Sequence, residues 1–242
     1  MLIEESIWLG QHIHGLPADE LFPLCNLGSS TGYFRTMQQP HIEQYIFKEA
    51  HEKNLSVVHV DLKNAEGVDL SGNILHPEFQ EILKRQNFKS VFCSNFLEHV
   101  VNPTAVCEAI WNILPPEGFI ILSCPYWYPY HEDPIDTLFR PSVDQLISLF
   151  PSCKVIASHT ISSPNTFWQA TTYKFGVPFS RKLRLFLPFY RPYAWWKLIR
   201  HWSYSFGIHK ASCIILQKQE RLGNSIMTPS TITKDLSTAS PC

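Results

Sequence analysis

Residues 26–34 read NLGSSTGYF and continue an apolar segment, FPLCNL, that predicts a short buried strand over residues 22–27. Gly28 and Gly32 stand four residues apart in this stretch. A glycine-rich turn after a strand usually brings the backbone close to a ligand, because glycine has no side chain and tolerates a left-handed conformation. The stretch matches neither GxGxxG nor the phosphate-binding GxxxxGK pattern, so a pyrophosphate cradle is poorly supported. We expect a ligand without a pyrophosphate at this turn.

Predicted strands and helices alternate on both sides of the turn, whereas residues 1–21 are interpreted as a mixed lead-in. The predicted strands cover residues 22–27, 56–60, 90–95, 119–125, 154–161 and 211–218, and the predicted helices cover residues 40–54, 77–86, 102–114 and 142–150. Residues 67–70 are compatible with a further short strand or with a turn. Such alternation is typical of right-handed βαβ crossovers. It predicts an α/β protein with a Rossmann-like, doubly wound, mostly parallel sheet of seven strands.

The 242 residues are enough for one domain with a full core. The net charge of −1 hides an asymmetry, because residues 1–144 hold 19 acidic and 8 basic residues, whereas residues 145–219 hold 10 basic residues and no acidic one. We predict one domain over residues 1–220, with a basic aromatic insertion at about 161–208 before the last strand. The Ser/Thr-rich residues 221–242 are predicted to be a disordered tail.

The cysteine pattern and the lack of targeting segments indicate the cellular compartment of the protein. Seven cysteines are scattered without a CxxC pair, which is typical of reduced thiols in a cytosolic protein. His12 and His14 form an HxH pair, but no third ligand is evident, so no metal site is predicted. No signal peptide is visible, and no stretch approaches the roughly 20 apolar residues that a membrane-spanning helix needs. We expect a cytoplasmic protein.

The predicted strand ends share one edge of the sheet, where ligands bind in open α/β folds. Asp61 directly follows the second predicted strand, and a carboxylate in this place can accept two hydrogen bonds from a ribose diol. Together with the absence of a phosphate pattern at the glycine turn, this favours a nucleoside ligand without phosphates.

Four segments at this edge carry a resemblance. They are LCNLGSSTGYF (24–34), VVHVDL (57–62), SVFCSNFLEHVVNP (90–103) and ILPPEGFIILSCP (113–125). In order and spacing the chain resembles the class I S-adenosylmethionine-dependent methyltransferases, and it looks most like their small branch with a Leu-Glu-His-Val signature after the fourth strand. The stretch YPYHEDPIDTLFRPS (128–142) also resembles members associated with glycan and cell-surface assembly.

The resemblance implies S-adenosylmethionine as the cofactor. Gly28 and Gly32 would let the backbone pass its methionine portion, Asp61 would bind its ribose, and Asn73 would lie near its adenine amino group. Asn95 and His99 would lie beside the methionine portion. The cofactor-binding residues implied in this way are Asn26, Gly28, Ser30, Gly32, Asp61, Asn73, Asn95 and His99.

Two of these positions depart from the family's pattern. Asn26 stands where the family usually has an acidic residue, so one anchor for the cofactor's ammonium group is weaker. Ser30 stands where the middle glycine of the turn is usual. Both changes are compatible with binding, since the Asn carbonyl still accepts hydrogen bonds.

Residues for the methyl acceptor are expected after the fifth strand. His131 is the first candidate for a general base, because its ordinary pKa lies near neutral, and Asp136 is the second. Tyr130 and Arg140 are candidate substrate-binding residues, with Arg140 able to clamp an anionic acceptor. The alternative is that Asp136 and Arg140 form an ordinary surface pair, four residues apart on a helix.

The basic aromatic residues 171–206 have several possible roles. They could cover the acceptor pocket as a lid, contact a membrane surface through residues 181–204, bind nucleic acid, or simply cover the sheet. We regard nucleic acid as the least favoured partner, and the oligomeric state is open.

These observations predict a methyltransferase that acts on a hydroxyl or similar acceptor, with a sugar, a lipid-linked glycan or a small molecule as candidates. A methyltransferase fold without catalysis, which binds a nucleoside or a partner, is the main alternative. A Rossmann enzyme for NAD or a nucleotide sugar is a third, which the missing GxGxxG pattern disfavours.

Overall fold

The structure is a computed structural model and describes residues 1–131, 135–166 and 207–219. It contains a seven-stranded sheet with the order β3-β2-β1-β4-β5-β7-β6. The strands are β1 (Leu24–Leu27), β2 (Val57–Asp61), β3 (Leu70–Ser71), β4 (Ser90–Ser94), β5 (Phe119–Trp127), β6 (Cys153–Thr166) and β7 (Ile208–Lys218). Strands β1 to β5 are parallel, and β7 runs antiparallel between β5 and β6. The predicted Rossmann-like, mostly parallel sheet is confirmed.

Helices cover both faces of the sheet. They are α1 (Ile3–Gly15), α2 (Ala18–Leu21), α3 (Pro40–Ile42), α4 (Lys48–Glu52), α5 (Pro77–Lys84), α6 (Pro103–Ile113) and α7 (Val143–Ser148), with π-helical turns at Phe34–Gln38 and Glu43–Phe47 and a 3₁₀ turn at Leu97–His99. On one face Leu83, Ile110 and Leu146 bring α5, α6 and α7 onto the strands. On the other face Leu9 of α1 and Ile46 belong to a second buried cluster. Because the central strands are covered on both sides, they read as continuous apolar segments in the sequence.

Helix α1 is the main difference from the prediction, because the first 21 residues were interpreted as a mixed lead-in. Its buried face includes Glu5 and Gly10, so the apolar spacing that would indicate a helix is interrupted. Gly10 lies directly against the backbone of Tyr45, and a Cβ at this position would stand 2.0 Å from the Tyr45 carbonyl oxygen. This contact holds α1 close to the π-helical turn that covers the sheet.

Three further regions differ from the prediction. The helix predicted over residues 40–54 is divided into α3, a π-helical turn and α4, and helical structure is already present at Phe34–Gln38. Residues 135–140, where Asp136 and Arg140 were considered as a helical pair, form no helix. Residues 161–166, assigned to the insertion, continue β6.

Most of the predicted insertion, residues 167–206, lies outside the described residues, as does the predicted tail at 221–242. The proposed lid and the membrane-contacting residues 181–204 fall within the same part of the chain. Among the helices that the structure describes, none combines the length and the apolar character needed to cross a membrane.

Candidate functional site

A cavity of about 630 Å³ opens at the carboxyl ends of β1, β2, β4 and β5. Its place agrees with the general position of ligand sites in open α/β sheets, and its size suits a nucleoside together with a small acceptor. Eight of its polar lining residues are Glu5, Asn26, Ser30, Asp61, Asn73, Asn95, His99 and His131. Seven of these were predicted from the sequence as site residues, whereas Glu5 was not.

The glycine turn after β1 forms one wall of the cavity. Gly28 has a φ of +71°, and a Cβ at this position would stand 2.5 Å from the ring of Phe96. Both the backbone conformation and the close approach therefore require glycine. Ser30 has a φ of +54° in the same turn, so it adopts the left-handed conformation that the family's usual glycine would adopt freely.

Asp61 at the end of β2 fixes this turn. Its Oδ2 accepts a hydrogen bond from the backbone N–H of Ser30 over 2.8 Å, and its Oδ1 accepts one from the backbone N–H of Lys63 over 3.0 Å. The carboxylate is half-buried and lines the cavity. Each oxygen keeps a lone pair for a further donor, so the predicted contact with a ribose diol is chemically available.

Gly32, the second glycine of the turn, packs against a neighbouring loop. Its backbone N–H donates to the Glu66 carbonyl over 2.9 Å, and it does not line the cavity. It lies against Gly67, where φ is +79° and a Cβ would stand 2.6 Å from Gly32 Cα. The geometry gives Gly32 a packing role, and its contact with the cofactor remains a prediction.

Arg35 also stabilises the turn and is nearly completely buried. Its Nη1 donates to the carbonyls of Ser29 and Ser30 over 2.9 and 3.0 Å, and its Nη2 donates to the Gly67 carbonyl over 2.6 Å. Sequence reasoning did not identify this residue. Its position directly after the turn is the signal that could have indicated it.

Asn26 is 4% exposed at the end of β1. Its Nδ2 lies 2.9 Å from Nδ1 of His59 on the neighbouring strand. Burial, assisted by the positive charge of Arg35, lowers the pKa of His59 to about 4. The imidazole is therefore neutral at pH 7, and its Nδ1 accepts a hydrogen bond from the Asn26 amide. A carboxylate at position 26 would not provide this donor.

Glu5 brings a carboxylate into the cavity from α1. It is fully buried, and its Oε1 accepts hydrogen bonds from Asn95 Nδ2 and Ser123 Oγ, each over 2.6 Å. Its Oε2 accepts one from the backbone N–H of Leu2 over 2.9 Å. No pattern in the sequence links Glu5 to Asn95 or Ser123, which lie 90 and 118 positions farther along the chain. Only the packing of α1 therefore reveals Glu5 as a site residue.

Asn95 and Asn73 occupy the predicted edge. Asn95 has a φ of +49°, and its backbone N–H donates to the Ser123 carbonyl over 3.0 Å, so it turns the chain sharply after β4. Asn73 lies after β3, and its Oδ1 accepts from the backbone N–H of Leu75 over 3.0 Å. This bond closes a local turn and leaves the amide nitrogen of Asn73 available for a ligand.

Glu98, His99 and His131 lie close together, and the two histidines line the cavity. His99 Nδ1 lies 2.5 Å from the Ile135 carbonyl, and the two imidazole rings meet edge to face with centroids 5.1 Å apart. Glu98 is fully buried, and this burial raises its pKa to about 7. Each of the three residues offers a ligand atom, and these atoms all lie within 4.8 Å of one another. The sequence predicted no metal site here.

Asp136 contacts His131 but does not line the cavity. Its Oδ2 accepts a hydrogen bond from the His131 backbone over 2.9 Å and lies 3.3 Å from His131 Nδ1. Burial raises the pKa of Asp136, but the hydrogen bonds from Arg140 and from two backbone N–H groups outweigh it and leave the pKa below its ordinary value.

Arg140 does not reach the cavity either. Its Nη1 and Nη2 form a bidentate pair with Asp136 over 3.0 and 2.6 Å. Its other contacts include the Tyr128 and Pro129 carbonyls. The pair was considered as a surface contact, but the Asp136 side chain is completely buried. Tyr130 is 41% exposed and lies outside the cavity lining, so its role in substrate binding remains a prediction, as does that of Arg140.

The sequence matches no family model and no curated protein. Among solved structures, the chain is similar to coclaurine N-methyltransferase bound to N-methylheliamine and S-adenosylhomocysteine, with 15% identity, coverage of 88% of this chain and 72% of that chain, and a TM-score of 0.51. This chain has a methyltransferase fold. The fold that the sequence resemblance implied is thereby confirmed.

Two further solved structures are similar to this chain at lower TM-scores. Phosphoethanolamine N-methyltransferase 2 from Haemonchus contortus, in complex with S-adenosyl-L-methionine, is 12% identical, with coverage of 90% of this chain and 57% of that chain and a TM-score of 0.45. The N-methyltransferase NodS from Bradyrhizobium japonicum, in complex with S-adenosylhomocysteine, is 7% identical, with coverage of 81% and 78% and a TM-score of 0.40. The glycan-associated branch remains a prediction.

Proposed function

We propose that this protein is an S-adenosylmethionine-dependent methyltransferase. The observation that carries the proposal is Asp61, whose carboxylate ends β2, holds the glycine turn through Ser30 and lines a cavity of about 630 Å³. A carboxylate in this place suits a ribose, and the turn provides no cradle for phosphates. The methyltransferase fold of the chain supports the same conclusion, although a fold alone does not determine an activity.

Different residues of the cavity would contact different parts of this cofactor. Asp61 would accept hydrogen bonds from the ribose hydroxyls, and Asn73 would meet the adenine. Glu5 adds a buried carboxylate beside Asn95, at the end of the cavity where the methionine portion would lie. A carboxylate favours the cofactor's positive ammonium and sulfonium groups. We infer that Glu5 supplies the negative charge that Asn26 does not.

S-adenosylmethionine supplies a methyl group activated by its positively charged sulfur. In the transfer to a hydroxyl, a bond forms between the acceptor oxygen and the methyl carbon, while the carbon–sulfur bond breaks and its electron pair stays on the sulfur. The acceptor proton has to leave. His131 lines the cavity, and we propose that its imidazole accepts this proton, while Asp136 accepts a hydrogen bond from the His131 backbone N–H. The remaining requirement is alignment of the two reacting atoms, which binding of both molecules in one cavity would favour.

A small molecule with a hydroxyl or similar nucleophile is the acceptor class that the cavity size supports best. A sugar or lipid-linked glycan is the more specific candidate. It is supported by the resemblance of residues 128–142 to methyltransferases associated with glycan assembly and by the basic character of residues 145–219. Because Arg140 is engaged with Asp136 and backbone carbonyls, an anionic acceptor would need other basic residues. We propose a cytoplasmic location, and peripheral membrane contact through residues 181–204 remains a prediction.

Calorimetric titration with S-adenosylmethionine, and separately with S-adenosylhomocysteine, tests the proposal. We expect both to bind the wild-type protein, and we expect Asp61→Ala to weaken both by at least about tenfold, because the ribose loses a bidentate acceptor. Asp144→Ala, at the first turn of α7 and away from the cavity, is the matched control. Absence of binding at millimolar ligand would overturn the proposal. Binding without transfer to any acceptor would favour the non-catalytic alternative.

A further inference from the structure

The cluster of Glu98, His99 and His131 combines the chemical features of a metal site. Glu98 and His99 belong to the 3₁₀ turn after β4, and His131 follows β5, so neighbouring strands bring the three side chains together. Oε1 of Glu98 lies 3.7 Å from Nε2 of His99. The candidate ligand atoms of all three residues lie within 4.8 Å of one another.

Glu98 lacks the partners that a buried carboxylate needs. Its Oε1 is buried without a hydrogen-bond partner among the described residues, and its Oε2 receives only a weak contact from Cys124 Sγ over 3.6 Å. A buried charge is costly unless it is paired or binds a metal. A cation at this point would satisfy the orphaned oxygen.

The surroundings of the two histidines suit metal ligands. His99 Nδ1 donates to the Ile135 carbonyl, which leaves the lone pair of Nε2 directed toward Glu98. An imidazole N–H that donates to a carbonyl in this way fixes the tautomer and the orientation of a ring in metal sites. His131 Nδ1 lies 3.3 Å from Oδ2 of Asp136, which Arg140 holds in turn, and this ring nitrogen is buried without a hydrogen-bond partner among the described residues.

We propose that Glu98, His99 and His131 bind a divalent transition-metal ion of the zinc type in the cavity. Two imidazoles and one carboxylate are a ligand set that zinc uses in catalytic sites, where the fourth position stays open. Ligand atoms about 2.0–2.1 Å from a tetrahedral ion stand about 3.4 Å apart. Side-chain rotations that close the widest pair by at most about 1.4 Å would therefore complete the site.

A bound ion would activate the acceptor in the proposed methyl transfer. This part of the inference rests on the proposed methyltransferase function. His99 and His131 both line the cavity, so the open position of the ion would face the acceptor. An acceptor hydroxyl bound there loses its proton more readily, because the cation lowers its pKa. His131 would then act on the acceptor through the ion, and Asp136 would keep the imidazole in place. The acceptor class narrows to molecules whose methylated hydroxyl can itself bind the ion.

Metal binding by the full chain, after treatment with a chelator, tests the site directly. We expect calorimetry with Zn²⁺ to show one site, and Co²⁺ to give the absorption spectrum of a tetrahedral ion. Glu98→Gln, His99→Gln and His131→Gln each remove one ligand and should weaken Zn²⁺ binding by about tenfold or more. His159→Gln in the exposed part of β6 is the matched control and should bind as the wild type does.

Two outcomes would overturn the metal site. One is no binding of Zn²⁺ or Co²⁺ at millimolar concentration. The other is binding that all three variants retain, which would place the ion elsewhere. Titration of the same metal-free protein with S-adenosylhomocysteine keeps the two proposals separate. Cofactor binding without metal binding rejects only the metal site, whereas metal binding without cofactor binding rejects the methyltransferase function.

Discussion

The backbone N–H of Ser30 donates to Oδ2 of Asp61 over 2.8 Å, which joins the turn after β1 to the end of β2. The two residues are 31 positions apart, and the parallel pairing of β1 with β2 brings them together. One carboxylate thus shapes the wall of the cavity and faces its interior. The same bond forces Ser30 into a left-handed conformation that a residue with a side chain adopts only at a cost of about 1 kcal/mol.

Replacement of Ser30 by glycine should therefore relieve strain. We expect Ser30→Gly to leave the free energy of unfolding unchanged or to raise it by up to about 1 kcal/mol, since the gain is partly offset by the greater freedom of glycine in the unfolded chain. The backbone bond to Asp61 is retained, so cofactor affinity should not fall. Ser30→Ala keeps the strain and is the control. A clear loss of stability in urea unfolding of Ser30→Gly would contradict this account of the turn.

Gly28 should not tolerate a side chain. An added Cβ would stand 2.5 Å from the Phe96 ring, and its φ of +71° is unfavourable for alanine. We expect Gly28→Ala to lower the free energy of unfolding by about 2 kcal/mol or more. Gly15→Ala at the end of α1 is the matched control, because a Cβ there meets nothing within 4 Å. Equal unfolding midpoints for the two variants would refute the predicted clash.

His59 should make stability depend on pH. Its pKa in the folded protein is about 4, against an ordinary value of 6.5. The unfolded chain therefore binds more protons between these values, and the stabilising contribution that is complete above pH 6.5 is lost as the pH falls toward 4. The loss amounts to about 3 kcal/mol at most. Arg35 and His51 oppose protonation and Asp69 favours it.

Chemical unfolding at several pH values measures this effect. In His59→Leu, the part of the pH dependence of the free energy of unfolding that is due to this imidazole should disappear. The variant His76→Gln, at an exposed histidine, should keep the pH dependence of the wild-type protein. Asn26→Asp should raise the pKa of His59, because a carboxylate stabilises the charged imidazole. An NMR titration that finds His59 near its ordinary pKa in the wild-type protein would show that the interpretation is wrong.

Glu5 should contribute charge to cofactor binding. In Glu5→Gln the amide oxygen can still accept from Asn95 and Ser123, so the fold should persist while the negative charge is lost. We expect S-adenosylmethionine to bind about tenfold or more weakly to this variant. Glu4→Gln, one position away on α1, is the matched control and should bind normally. If calorimetry gives the same affinity for both variants, Glu5 serves only to hold α1 in place.

Local patterns were sufficient for much of the sheet. The apolar segment around Cys25 and the β-branched residues of β2 predicted strands within one or two residues, because strands buried on both faces consist of continuous apolar stretches. The helices predicted over 102–114 and 142–150 contain α6 and α7, which the side chains of Asn102 and Ser142 cap. Helix α1 was missed because its buried face carries Glu5, and a polar residue there breaks the periodicity.

By itself, the sequence determined the alternation of strands and helices, the glycine turn and the carboxylate of Asp61 at the same edge of the sheet. These features depend on local propensity and on the rule that parallel strands end together. Only the tertiary structure placed Glu5 beside Asn95 and collected Glu98, His99 and His131 around one point. Contacts between residues so far apart in the chain arise from helix packing and loop paths, which no local pattern records.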